Sequence, residues 1–253
     1  MREIAYAKVN IFLKIVGKRG SYHEIVSRFM QVKNLYDVIS FEMKDTPKDG
    51  FEIDGEFSCK LEENSIYKAY LAIKNKEVED FFSTYKVVVE KNIPEFAGLG
   101  GGSSDCGSFL RLANKVLDLN IDIDKLAQIG AKIGADVPFF VYNFKSANVS
   151  GIGEIVKEFD EQLLDIKTLT PDIKCDTAKV YKRFSQSYLN RIDKKLANEL
   201  MKKRTHEILD SYTPKMLNDL YAPSLDLYPE LSNYDGYFSG SGSTFFKVGD
   251  GKE

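Results

Sequence analysis

Residues 94–105, PEFAGLGGGSSD, place four glycines within five positions and follow them with two serines and an aspartate. Glycine loses more backbone freedom on folding than any other residue, so a cluster this dense is incompatible with the interior of a regular strand or helix. Its flanks explain it. Residues 84–91, TYKVVVEK, read as a short strand leading into the loop. Beyond the loop Phe109, Leu112, Ala113, Val116 and Leu117 recur at helical spacing, so a helix is expected to begin near Ser103 or Ser104. Strand, glycine turn and helix start together form an anion site. The first N–H groups of a helix lack intrahelical partners, carry the positive end of its dipole, and are open to a phosphate where no Cβ stands in the way.

Two familiar phosphate motifs do not fit. The Walker A pattern requires a lysine after its last glycine, and Ser103 follows Gly102. The dinucleotide fingerprint matches from Gly98 to Gly101 and then meets Ser103 where its last glycine belongs.

The rest of the chain sets the frame. A net charge of −3 argues against a nucleic-acid or membrane binder, so an anionic ligand must be met by local lysines and main-chain amides. Cys59, Cys106 and Cys175 are odd in number and far apart, which points to a reducing compartment and a cytoplasmic protein. With two histidines, His23 and His206, no metal site of protein ligands is expected. MREIAYAKVNIFLKIVGK enters a strand-like pattern at once, so no targeting segment is expected, and no apolar run of membrane-spanning length occurs.

Residues 9–16 and 25–43 read as strands, and Asn64 as the cap of a helix whose buried face holds Ile66, Tyr67, Tyr70 and Leu71. A further helix is expected over 122–133, ended by Gly134, then a turn into a buried strand at ADVPFFVY. A charged helix is expected over 190–204, with Ile192, Leu196 and Leu200 inward. This order implies an α+β protein in two parts meeting near residue 150.

With these motifs in view, the chain resembles the GHMP kinases. PEFAGLGGGSSD is similar to their phosphate-binding motif, YAKVNIFLKIVGKR from Tyr6 to their N-terminal motif, and SGSGSTFF from Ser239 to their C-terminal glycine motif. The resemblance implies a two-domain α+β fold with a deep cleft. An ATP-binding and catalytic domain would occupy residues 1–150, and a smaller substrate-binding domain, shortened at its end, residues 151–253. AKVN, YHEI and GADVPFF are most similar to the branch whose substrate is a cytidine-diphosphate-linked methylerythritol. That branch implies ATP-dependent phosphorylation of the 2-hydroxyl, by direct transfer, in non-mevalonate isoprenoid synthesis.

Carried onto this sequence, the resemblance makes Asp136 the base and Lys8 its electrostatic partner. The two roles suit a reaction that asks mainly for alignment, charge stabilisation and a proton acceptor. It gives ATP to Asn64, Lys91, Leu99, Gly100, Gly101, Gly102, Ser103 and Ser104, with Mg²⁺ arriving on the nucleotide. Phosphate steering is an equal account of Lys91, which borders the loop. Substrate is implied at Asn10, on one strand face with Lys8, at the cytosine-recognising pair Tyr22 and His23, and at Thr177, Tyr181, Ser241 and Gly242. Gly20-Ser21 stands where the family has Asp-Gly. No obligate protein partner is implied. A homoserine- or mevalonate-type GHMP kinase and a non-catalytic nucleotide-binding module remain open. The Tyr22–His23 pair with Tyr181 separates the first, because those substrates carry no cytosine, and retention of Lys8 and Asp136 weighs against the second.

Overall fold

The computed structural model describes residues 1–47 and 50–249. Its strands are β1 (Arg2–Arg19), β2 (Tyr22–Met43), β3 (Ile53–Asp54), β4 (Tyr85–Glu90), β5 (Ser146–Gly151), β6 (Ile155–Glu158), β7 (Ile166–Leu169), β8 (Tyr237–Phe238) and β9 (Phe245–Val248). The helices are α1 (Ser65–Ile73), α2 (Lys76–Thr84), α3 (Gly101–Val116), α4 (Ile123–Ala131), α5 (Val137–Tyr142), α6 (Thr177–Ser187), α7 (Lys194–Leu200), α8 (Thr205–Ser211), α9 (Pro214–Leu217) and α10 (Tyr221–Leu227). Among the described residues no helix is long and apolar enough to cross a membrane.

Packing divides the chain into two compact units, each assembled from three stretches. The first comprises Met1–Ala7, Leu35–Ile93 and Gly101–Asn143, the second Lys8–Asn34, Pro94–Gly100 and Phe144–Glu253. Both β1 and β2 are therefore shared between units, a partition by packing rather than by position along the chain.

In the first unit the end of β2 pairs antiparallel with β4, from Val38 opposite Glu90 to Met43 opposite Tyr85, and β3 runs parallel to β4. Helices α1, α3, α4 and α5 pack with them around Phe41, Phe51, Phe82 and Phe109. Asn64 caps α1 as expected, its side-chain oxygen accepting from the Ile66 N–H at 2.8 Å. The buried face of α1 is Ile66, Ala69, Tyr70 and Ile73, whereas Leu71 is exposed. Helix α3 begins at Gly101, earlier than the serines, and its middle is buried nearly all round. Gly107 allows this: a Cβ there would lie 2.7 Å from the Phe140 Cβ, so only glycine lets α3 and α5 approach so closely.

One expectation is overturned in this unit. VPFFVY is the short helix α5, not a strand. A six-residue apolar run buried on all sides carries no periodicity to tell the two apart, and Pro138 in the first turn supplies a φ suited to helix initiation.

In the second unit β1 turns at Gly20 into β2, whose first half pairs antiparallel with β5, and β5 pairs with β6. Strands β7, β9 and β8 form a separate antiparallel sheet. Leu13, Ile15 and Ile25 make one core with Val180, Phe184 and Leu220, and Cys175, Tyr221, Phe238 and Phe245 another. Arg28, fully buried on β2, stacks on Phe159 at 3.4 Å and pairs with Glu161 at 3.2 Å, while donating to Asn148 and to the Met201 and Lys203 carbonyls. A buried guanidinium is tolerated only when its donors are met in this way. The charged helix expected over 190–204 is interrupted: Asp193 caps α7, which buries Ala197 and Leu200, and Ile192 lies before it.

Candidate active site

In the second unit the glycine loop is clamped by the C-terminal glycine motif. The Thr244 N–H donates to the Ala97 carbonyl at 3.2 Å, and the Ser239 hydroxyl to the Gly98 carbonyl at 2.9 Å. Gly98, Gly100, Gly240 and Gly242 all have left-handed φ, as a turn of this tightness demands. Lys8 sits against the same loop. Its N–H donates to the Leu99 carbonyl at 2.9 Å, and its ammonium, 3% exposed, donates to the Gly98 carbonyl at 3.1 Å and to Asn10 Oδ1 at 2.8 Å. The Phe29 ring lies 4.6 Å from that ammonium. Asn10 is held in turn: Nδ2 donates to Ser27 Oγ at 2.9 Å, and Ser27 donates to the Phe12 carbonyl. Asn10 thus fixes Lys8; its N–H also donates to Ser239 Oγ at 3.3 Å, and nothing in the sequence marks Ser27 or Ser239 as its partner.

In the first unit the start of α3 and the turn before α5 lie together. A Cβ on Gly134 would stand 3.7 Å from Ser103 Oγ, so the serine faces the turn that carries Asp136. Asp136 occupies the N-cap position of α5, is half-buried, and makes no side-chain cap bond to that helix. Ser104 is buried and donates its hydroxyl to the Tyr6 carbonyl at 2.7 Å, so that hydroxyl faces away from the loop, and the helix-start amides without an intrahelical partner are those up to Ser103. Ser65 donates to the Gly102 carbonyl at 2.6 Å. Asn64, already occupied as a cap, also lines a cavity of about 470 Å³ with Phe51, Phe57, Leu61 and Lys86.

Lys91 is bonded to two carboxylates, Asp37 and, at 2.6 Å, Asp105. The other oxygen of Asp37 accepts the Ile93 N–H at 2.8 Å. This triad pins the first turns of α3 to the chain leaving β4. Burial pushes the Asp105 carboxyl up to about 7, against the pull of Lys91, and its Oδ1 has no hydrogen-bond partner. Between the ordinary value near 3.8 and about 7 the folded state holds a proton that the unfolded chain has lost. Stability therefore falls as pH rises through that window and levels off above it. The window spans about three pH units at about 1.4 kcal/mol each, so on the order of 4 kcal/mol is at stake. Asp105→Asn should remove this slope and gain on the parent protein between pH 5 and pH 8 in urea unfolding; parallel profiles for the two proteins would refute the assignment.

The remaining predicted residues lie in the second unit. Tyr22 is 63% exposed. The His23 ring lies 5.0 Å from the Tyr181 ring, tilted by 31°, and edge-on to Phe184. His23 Nε2 is 2.7 Å from Ser185 Oγ. Desolvation, and then the nearby Lys18, hold its pKa below the usual histidine range. Thr177 opens α6 and shares a 2.8 Å hydrogen bond with Ser241, whose carbonyl accepts from Ser224. The structure thus brings His23 to Tyr181, and Thr177 to Ser241, across more than sixty residues of chain in each case.

Comparison with known proteins follows the same lines. Residues 64–144 match the GHMP kinases N terminal domain. The chain is 52% identical to a 4-diphosphocytidyl-2-C-methyl-D-erythritol kinase of Sulfurimonas denitrificans, over 96% of this chain and 95% of the relative. It is 48% identical to the enzyme of the same name from a Sulfurovum species, over 97% and 98%. A crystal structure of 4-(cytidine 5'-diphospho)-2C-methyl-D-erythritol kinase superposes with a TM-score of 0.77 at 28% identity, covering 99% of this chain and 91% of that one. Methanococcus jannaschii mevalonate kinase, at 14% identity and a TM-score of 0.59, shares the fold.

Proposed function

Since the chain belongs to the 4-diphosphocytidyl-2-C-methyl-D-erythritol kinase family of the GHMP kinases, we propose that it moves the γ-phosphoryl group of ATP onto the 2-hydroxyl of that cytidine-diphosphate-linked polyol, in the non-mevalonate isoprenoid pathway. The observation that carries the reading is the buried Lys8 ammonium, held by Asn10 against the glycine loop. A cation fixed there, at a place built to receive phosphate, has a chemical use that its burial alone would not justify.

In this reading main-chain amides from Leu99 to Gly102, with Ser103, hold the triphosphate at the start of α3. The donor set is made of N–H and O–H groups, which suits an anion. Loop amides and Ser103 would hold the nucleotide's phosphates, and Mg²⁺ arriving with ATP would supply neutralisation of their charge. Lys91, its charge balanced by Asp37 and Asp105, serves the phosphates indirectly, by fixing the start of α3. The cavity beside Asn64 takes the adenine, which the aromatic rings of Phe51 and Phe57 suit. Residues 1–150 thus serve ATP and catalysis.

The substrate 2-hydroxyl oxygen attacks the γ-phosphorus as the bond to the β-phosphate oxygen breaks. The hydroxyl proton passes to Asp136, ADP leaves with the bonding pair, and Lys8 stabilises the developing alkoxide. Tyr22, His23 and Tyr181 receive the cytosine, and Thr177, Ser241 and Gly242 its diphosphate, so that residues 151–253 complete the substrate site. A coupled ADP-release assay should give turnover with the cytidine-diphosphate-linked alcohol and none with homoserine or mevalonate. Equal turnover of mevalonate would reject the cytosine assignment.

A further inference from the structure

The hydrogen bond between His23 and Ser185 is used by nothing in the reaction described above, yet it joins β2 to the last turn of α6 at 2.7 Å. We propose that Ser185 is a specificity-determining residue: by donating to His23 Nε2 it fixes the imidazole in its Nδ1–H tautomer, and so makes the site select cytosine over uracil. The inference rests on the reading that His23 meets the pyrimidine.

Neutral imidazole carries one donor and one acceptor, and the partner of one nitrogen decides the role of the other. The ring is kept neutral near pH 7, since burial and Lys18 both disfavour its charge. Around it stand Lys18 on β1 and Tyr181, Phe184 and Ser185 on α6. Of these, Ser185 is the one bonded to a ring nitrogen. The 2.7 Å contact is symmetric in donor and acceptor; with the serine as donor, as proposed, Nε2 accepts and the ring proton sits on Nδ1.

The consequence follows from the bases. Cytosine presents an unprotonated N3, an acceptor, between its O2 acceptor and its amino group. Uracil carries a proton on N3. An Nδ1–H donor pairs with the first and confronts the second with two hydrogens and no lone pair between them. The other tautomer would do the reverse. Tyr181, 5.0 Å from the imidazole and tilted by 31°, restrains the ring plane, so the proton's position is the remaining variable. A serine 162 residues away in sequence thereby sets which pyrimidine is accepted.

The test has two readouts. Nitrogen-15 NMR of the ring should show Nε2 unprotonated in the parent protein, and His206→Ala removes the signal of the only other histidine. Ser185→Ala should return His23 toward the Nε2–H form. It should also reduce the preference for the cytidine- over the uridine-diphosphate-linked alcohol, measured as a ratio of kcat/KM, by about tenfold to a hundredfold. The loss should appear mainly in KM. Ser185→Thr, which keeps the hydroxyl, should restore both. A protonated Nε2 in the parent protein, or an alanine variant with unchanged tautomer and unchanged preference, overturns the proposal. If instead the parent protein does not prefer cytidine, or His23→Ala leaves that preference intact, the cytosine reading itself fails and takes this inference with it.

Discussion

Asp136→Asn is expected to lower kcat by about a thousandfold or more while ATP affinity stays within a few-fold. The amide matches the carboxylate in shape, and the aspartate makes no cap bond to α5 that the change would remove. The Val137 N–H still reaches the Gly134 carbonyl at 3.1 Å, and Ser103 still faces the turn. In the proposed reaction, what disappears is the proton acceptor and its negative charge. Single-turnover kinetics with an independent ATP titration separates the two effects, and turnover near the parent value would demote Asp136 to a structural residue. Lys8 offers a less clean experiment. Removing its ammonium strips Asn10 Oδ1 and the Gly98 carbonyl of a buried donor, so activity and stability would fall together.

Gly98→Ala should be the most damaging single-methyl change in the glycine loop. The new Cβ would collide with the Ser239 carbonyl oxygen and lie 3.2 Å from that of Gly242, and φ at this residue is +74°. Left-handed backbone costs an L-residue about 1–2 kcal/mol before any clash is counted, and main-chain atoms cannot swing aside as a flexible side chain would. We expect a loss of roughly 3 kcal/mol or more, together with a raised KM for ATP as the clamp opens. Gly20→Ala isolates the backbone component, because φ there is +62° and nothing stands within 4 Å of the added atom. Equal losses in the two variants, read by thermal melting, would show that contact between the two glycine motifs contributes nothing.

How much of this was readable in the chain depends on how far apart the interacting residues lie. Local rules did well where one residue decides the outcome: Asn64 as a cap, Asp122 opening α4, the β-branched run of β4. They failed where burial on every side erases periodicity, as in α5, and where the helix started on glycines that propensity would place outside it, as in α3. Candidate site residues belonging to recognisable motifs, Lys8, Asp136 and the glycines, are proposed from spacing and resemblance. Asp37, Ser185 and Ser239 could not be given their roles, because Asp37 meets Lys91 across 54 positions, Ser185 meets His23 across 162, and Ser239 meets Asn10 across 229. Nothing local marks an aspartate inside a strand as the partner of a distant lysine.

The threading of both units through β1 and β2 has a corollary for anyone dividing the gene. A fragment covering residues 1–150 would inherit every stretch of the first unit, whereas one beginning at 151 would be born without β5, the neighbour that β6 requires, and without Leu13, Ile15 and Ile25 from the core around Phe184. The two halves are thus unequal heirs. The later one is a recipient awaiting donated strands, and co-expression of both pieces is the arrangement in which it could find them.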